Sequence, residues 1–244
     1  MAKSSTWLGV AFALLPPAHA LTITIIRHGE TEWNAAGRLQ GSSDSSLTDL
    51  GVRQAEACGQ RLSSGSNQFA ALYCSPLPRA RRTAELIFAG LEAGQCPPLR
   101  EDARIRERSF GAWEGLVWSD IQRDYADELH ISQDDPTYAI SGGGESRLEC
   151  LERVLAFLDE LVLVHGPHES VLVVTHSAIA TSIVKHVLGL RPEQRRSFGV
   201  QNLGLNEIEC KPAADAGASP SWVLRTLNDC AHLDGLGSVD NVAV

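Results

Sequence analysis

The sequence predicts an α/β domain, a three-layer α/β/α sandwich around a mainly parallel sheet. Three short runs rich in β-branched residues, 21–26, 69–74 and 170–175, read as buried strands. Each is followed, after a turn, by a longer segment with helical spacing of its apolar residues. Just past each strand end stands a residue suited to chemistry or anion binding: Arg27 and His28, then Arg79, then His176. That is the edge of an open parallel sheet where ligands collect. A length of 244 residues suits one such domain.

The first strand, 21–26, ends at Arg27-His28-Gly29. Gly29 lets the backbone turn and approach a ligand closely. A guanidinium presents a planar fork to phosphate oxygens, and a neutral imidazole nitrogen can attack phosphorus. Two such residues alone are better read as a surface charge beside a hydrogen-bonded histidine. Thr48 and Asp49 then start a helix with Leu50, Ala55, Cys58 and Leu62 on one face, and residues 63–67 close it as a loop. Ser75-Pro76-Leu77-Pro78 breaks the second strand, and a helix follows over 79–91 with Ala80, Ala84, Ile87 and Phe88 inward. Arg79 falls in its first turn, where the helix dipole opposes a cation, and this argues for an anion nearby.

In the segment 104–115, Glu107 sits among Arg104, Arg106 and Arg108. Such a Glu is ordinarily an ion-paired structural residue. An apolar pocket against Phe110 or Trp113 would instead let it keep a proton for a departing alkoxide. Glu114 reads as structural. A helix is expected over 116–129, with Ile121, Tyr125 and Leu129 on one face, then a Pro-containing excursion over 131–139. Together they make a lid that selects the substrate. Gly142-Gly143-Gly144 lacks the Lys-Ser or Lys-Thr of a P-loop and reads as a turn. It leads into a capping box, Ser146 with Glu149, and a helix carrying Leu148, Leu151, Leu155, Leu158 and Val162.

After the third strand, a helix over 178–188 points its first free N–H groups at the same edge. The repeated strand-end position separates His176 from His19, His130, His165, His168, His186 and His232, which read as structural or exposed. Segments 201–210 and 222–228 close the fold as strands around a loop.

The formal net charge of −9 argues against nucleic acid and anionic membrane as partners, since both need a basic face. Positive charge must therefore be local, and arginines do cluster at 79–82 and 104–108. The six cysteines, Cys58, Cys74, Cys96, Cys150, Cys210 and Cys230, show no zinc spacing and read as free thiols. No interface stripe stands out, which leaves the oligomeric state open.

Lys3, the apolar run 7–15 and Ala18-His19-Ala20 have the parts of a secretory signal. The absence of acidic residues there also suits a transit peptide, and an apolar extension packed on the domain is the third reading. The run is too short to span a bilayer. The expected organisation is a presequence over 1–20, one domain over 21–233 and a loose tail over 234–244. Location depends on the presequence: cytoplasmic if 1–20 is retained, secreted or organellar if it is removed.

Arg27-His28-Gly29-Glu30-Thr31, with Trp33-Asn34 and Arg38-Leu39-Gln40-Gly41, resembles the signature of the histidine phosphatase superfamily. The branch is the one that includes the cofactor-dependent phosphoglycerate mutases. The segment 75–84 is similar to the family stretch whose Arg supplies a second fork to the phosphate. Glu107, before Phe110-Gly111-Ala112-Trp113-Glu114-Gly115, matches the family's acid/base carboxylate. Asn228-Asp229 with His232-Leu233 resembles the terminal segment of some plant phosphoglycerate mutase-like phosphatases.

The resemblance implies a phosphoglycerate mutase-like fold and a phosphomonoester hydrolase of small phosphorylated metabolites, needing no metal and no cofactor. His28 becomes a phosphohistidine; Arg27, Asn34 and Arg79 hold phosphoryl oxygens; His176 steadies their charge; and Glu107 is acid, then base. Gln40, Gly41, Arg108 and Ser177 fall where substrate binds. Two positions depart from the family pattern: Ser177 where Gly is common, and Ser46 where many relatives have Pro before Leu. A mutase is the nearest alternative, because Arg108 also occurs in mutases and can hold a carboxylate. The segment between Glu107 and His176 lacks the longer insertion with paired arginines that glycolytic mutases use. A catalytically inactive phosphate-binding module is the alternative of another class; the complete set of catalytic residue types argues against it.

Overall fold

Successive side chains of a strand face opposite ways, so a strand buried on both faces needs apolar residues at nearly every position. β4 (Ser170–Thr175) meets that need, sending Val171 and Val173 into one core and Leu172 and Val174 into the other. β1 (Leu21–Arg27) divides likewise, with Ile23 and Ile25 on one side and Ile26 on the other. The computed structural model describes residues 20–64, 68–91, 97–194, 198–211 and 219–236. Its sheet adds β2 (Phe69–Cys74), β3 (Leu99–Glu101), β5 (Leu205–Lys211) and β6 (Ser221–Asp229). The order of the six strands is β3-β2-β4-β1-β5-β6, parallel from β3 to β1, with β5 antiparallel to both its neighbours.

Helices cover both faces, which gives the expected three layers. α6 (Arg147–Val164) and α7 (Ser177–Val187) lie on one. The α6 stripe of Cys150, Val154, Phe157, Leu158 and Leu161 follows the helical period and is buried there. The Ser146–Glu149 capping box forms as expected. On the other face, α2 (Asp49–Ser63) is capped by Thr48, and α3 (Pro78–Ala89) begins with Pro at its start, a position that costs no hydrogen bond. Gly51 of α2 is required by contact: a Cβ there would lie 2.1 Å from Glu30 O. Helix α2 and the loop after β1 therefore touch backbone to backbone.

The strand ladder continues one residue past the strands. His28 N–H donates to Thr175 O (2.9 Å) and Ser75 N–H to Val174 O (3.0 Å). These two bonds set His28, Ser75 and His176 side by side at the carboxyl edge.

The segment 116–139 differs from expectation. Instead of one helix over 116–129, the chain forms α4 (Trp118–Asp124) and α5 (Ala126–Asp134), broken at Tyr125. Tyr125 leaves helical geometry (φ −126°, ψ 30°) with its ring edge-on to Trp113. α5 then runs into the expected excursion and stops before Pro136, which cannot continue it. Phe110, Trp113, Ile121 and Ile140 make a third, smaller core in this region. Glu128 clamps it, accepting from Trp113 Nε1 (2.9 Å), Tyr138 OH (3.1 Å) and Ser141 N (2.7 Å).

The short α1 (Glu32–Ala35) and β3 have no counterpart in the sequence reading, and β5 starts at Leu205 rather than 201. Cys58, Cys74, Cys150, Cys210 and Cys230 are free thiols. Cys96, residues 1–19 of the presequence expected over 1–20 and residues 237–244 of the tail expected over 234–244 lie outside the described residues, as does most of the loop expected before β6. Among the described residues no helix is long and apolar enough to cross a membrane.

Candidate active site

A cavity of about 760 Å³ opens at the carboxyl edge. Of the residues singled out in the sequence, Arg27, His28, Asn34, Gln40, Gly41, Arg79, Glu107, Arg108 and Ser177 all line it. His176 is not part of the wall. It is fully buried, with its ring 5.2 Å from that of His28.

His28 is held by its own turn. Its Nδ1 lies 2.8 Å from Gly29 O, and since a carbonyl only accepts, Nδ1 carries the proton. Nε2 is thereby left with its lone pair, and Arg79 Nε donates to it (3.3 Å). Burial, then the Arg79 and Arg27 charges, hold the His28 pKa well below that of a free imidazole. The ring is therefore neutral and nucleophilic at Nε2.

His176 is kept neutral in the same way, by burial first and by Arg79 next. Ser75 Oγ lies 2.7 Å from His176 Nε2 and accepts from Leu77 N–H (3.2 Å). The serine hydroxyl can donate to Nε2, which places the imidazole proton on Nδ1. That Nδ1 is buried and has no hydrogen-bond partner among the described residues.

Arg79 stands beside His28 as expected, but its fork is already engaged. Nη1 donates to Ser43 O (2.7 Å) and Asp44 Oδ1 (2.9 Å), and Nη2 donates to Gly41 O (2.7 Å). The reason is local: a guanidinium 2% exposed needs acceptors, and the 41–44 turn supplies them. Gly41 must be glycine there, with φ +59° and an added Cβ 2.2 Å from Glu114 Oε1. Glu114 is structural, as read: burial pushes its pKa up, yet bonds from Ser43, Ser42 and Phe110 hold it below the usual range. Arg27, also buried, donates through Nη1 to Val200 O (2.9 Å).

Glu107 lines the cavity together with Phe110 and Trp113. Its carboxylate accepts backbone N–H groups of Arg108 (2.9 Å) and of Ala178 in the first turn of α7 (3.4 Å). The Arg108 guanidinium lies over an aromatic face, its Cζ 4.5 Å from the Phe110 centroid. Thr175 Oγ1 donates to Ile105 O (2.8 Å) and so ties this segment to the end of β4.

Gln40 is buried and donates to Thr31 Oγ1 (2.8 Å). Asn34 Oδ1 accepts from Thr31 N (3.3 Å), which leaves the side-chain amide nitrogen to donate into the cavity. Ser177 opens α7. Several supporting residues carry no signal in the sequence reading. Asn202 Nδ2 donates to His28 O (2.7 Å), Thr83 Oγ1 accepts from Gly29 N (3.0 Å), and Asp44 and Ser75 act as above. His186, read as structural or exposed, lines the cavity, as does Arg147. Among the described residues no group of three or more His, Cys, Asp or Glu side chains gathers as a metal site.

A sequence model of the histidine phosphatase superfamily (branch 1) matches residues 23–219. The chain is 32% identical to a metal-independent phosphoserine phosphatase of Arabidopsis thaliana, covering 88% of this chain and 84% of that protein. It is 31% identical to a probable phosphoglycerate mutase of Proteus mirabilis, over 87% of this chain and 95% of the relative. Among solved structures, a mycobacterial glucosyl-3-phosphoglycerate phosphatase superposes with a TM-score of 0.74 at 28% identity, covering 86% of this chain and 99% of the other.

Proposed function

Because the chain belongs to branch 1 of the histidine phosphatase superfamily, we propose that it is a metal-independent hydrolase of small phosphate monoesters that works through a phosphohistidine. The observation that carries this reading is the His28 tautomer, fixed by Gly29 O with Nε2 facing Arg79.

In the first step Nε2 attacks phosphorus in line, the N–P bond forms and the P–O bond to the alkoxide breaks. Glu107 gives its proton to that alkoxide. In the second step the Glu107 carboxylate takes a proton from water, the resulting hydroxide attacks phosphorus, and the N–P bond breaks to release phosphate and neutral His28. Arg27, the Arg79 charge, the Asn34 amide and His176 Nδ1–H stabilise the equatorial oxygens. Arg79 contributes charge and its Nε more than an open fork, since its terminal nitrogens hold the 41–44 turn. The partner is a small phosphorylated molecule rather than nucleic acid or membrane, a reading supported by the charge of −9.

The experiment is phosphate release from a panel of monoesters in EDTA, with isomerisation of 3-phosphoglycerate assayed beside it. Release that EDTA spares and His28→Ala abolishes is the expected result. Isomerisation with little release would make the protein a mutase, and no turnover would make it a binding module.

A further inference from the structure

The 41–44 turn holds Arg79, so whatever orients that turn also acts on the guanidinium beside the nucleophile. Glu114 orients it from outside the cavity wall. Its carboxylate oxygens accept from the backbone N–H groups of Ser42 (2.9 Å), Ser43 (3.0 Å) and Phe110 (3.0 Å). The hydroxyls of Ser42 (2.9 Å), Ser43 (2.7 Å) and Ser109 (3.2 Å) donate to it as well. Every one of these partners is a donor, and an ionised carboxylate is the acceptor-only side chain that such a set requires.

One peptide unit joins this carboxylate to Arg79. The Ser42 N–H and the Gly41 carbonyl belong to the same planar trans amide, whose two ends point in opposite directions. Glu114 Oε1 holds the N–H end, and the carbonyl end accepts from Arg79 Nη2 (2.7 Å). Arg79 Nε in turn reaches His28 Nε2 (3.3 Å). The connection from Glu114 to the nucleophile is therefore carboxylate, amide, guanidinium, imidazole. The carboxylate is anchored at its own end by Ser109 and Phe110, and it presses on Gly41 too closely to admit a Cβ. Joining the two chain segments does not require it. Gly115 N–H donates to Leu39 O (2.7 Å) and Leu39 N–H to Leu116 O (2.9 Å), so backbone bonds already pair them.

Building on the phosphatase reading, we infer that Glu114 is a positioning residue for the reaction: through the amide between Gly41 and Ser42 it sets the Arg79 guanidinium against His28 and the transferring phosphoryl group. Its effect falls on the transition state, where the Arg79 charge meets the equatorial oxygens.

The test measures kcat/KM on p-nitrophenyl phosphate and glycerol 3-phosphate, with inhibition by inorganic phosphate, for the wild type, Glu114→Gln, Asp44→Asn and the double variant. Glutamine keeps the length of the side chain. Whichever way its amide turns, however, the NH₂ faces a backbone N–H, that of Ser43 or those of Ser42 and Phe110. Glu114→Gln should lower kcat/KM about tenfold or more, alike on both esters, and weaken phosphate inhibition. Asp44 and Glu114 act through one turn, so the double variant should lose less than the product of the single losses. A lower melting temperature with kcat/KM and phosphate inhibition unchanged would make Glu114 structural only. A loss confined to glycerol 3-phosphate would route the effect through Glu107, and single losses that multiply in full would separate Glu114 from the turn; either overturns the inference. If Glu114→Gln does not fold, Ser42→Ala/Ser43→Ala replaces it, since it removes hydroxyl donors and keeps the backbone. That variant should show the same pattern with a loss of about threefold or more, and no change in it overturns the inference. If the wild type hydrolyses no ester, the phosphatase reading fails by itself, and calorimetric binding of inorganic phosphate decides the positioning: weaker binding in the variant supports it, and equal binding overturns it.

Discussion

Arg79 and the pair Arg108–Arg147 line one cavity, yet they hold their charge in opposite ways. Arg79 is buried with both terminal nitrogens bonded to the 41–44 turn and Nε on the nucleophile. The Arg108 guanidinium has no hydrogen-bond partner among the described residues, and that of Arg147 has one. The difference separates two tasks. Groups that stabilise a transition state work best when they need not reorganise, so the protein has bonded them to itself. Groups that recognise a substrate gain most when their missing partner comes with it.

The contrast can be broken most sharply at the fixed end. His28→Ala should lower phosphate release by about 10⁴-fold or more, because the neighbouring His176 has its lone pair turned to Ser75. A loss under tenfold would remove His28 as nucleophile. Glu107→Gln should cost about 10² to 10⁴-fold with alkoxide leaving groups and much less with p-nitrophenolate, which needs no proton; equal losses on both would deny it the acid role. Asp44→Ala should misplace Arg79 and cost about ten- to a hundredfold in kcat/KM, with Asp44→Asn recovering part and inorganic phosphate inhibiting less well. A loss of thermal stability without any change in phosphate inhibition would make Asp44 merely structural.

The smallest effect is on stability. His28 and His176 stay neutral in the folded chain but protonate when it unfolds, near the ordinary value of 6.5. Below that pH the unfolded state binds more protons, so stability falls as pH falls. Each histidine contributes about 1.4 kcal/mol per pH unit until its folded pKa is reached. Denaturant unfolding of His176→Asn between pH 6 and pH 5 should show a shallower slope than the wild type.

Much of the fixed end was legible because its signals are local. A β-branched run followed by Arg27-His28-Gly29 states strand, edge and chemistry within a few residues. The partners of those residues were not legible, because topology brings them from afar: Asn202 reaches His28 across 174 positions, and Ser75 reaches His176 across 101. The break at Tyr125 carries no Gly or Pro to announce it, and spacing at 121, 125 and 129 fits one helix as well as two. Glu107 is legible by its position, whereas the α7 backbone that bonds its carboxylate lies far along the chain and is not. Arg147 did offer a signal. A cation in the first turn of a helix is the misplacement that pointed to an anion at Arg79, and it recurs at Arg147.

Every step of the mechanism depends on His28 Nε2 taking the phosphoryl group. The direct measurement is rapid quenching of the wild type in EDTA with a ³²P-labelled monoester, followed by peptide mapping. The expected result is an acid-labile, base-stable phosphoryl group on the peptide carrying His28, formed and lost at rates compatible with turnover and absent in His28→Ala. Turnover with no label on His28, or label on another residue, would contradict it.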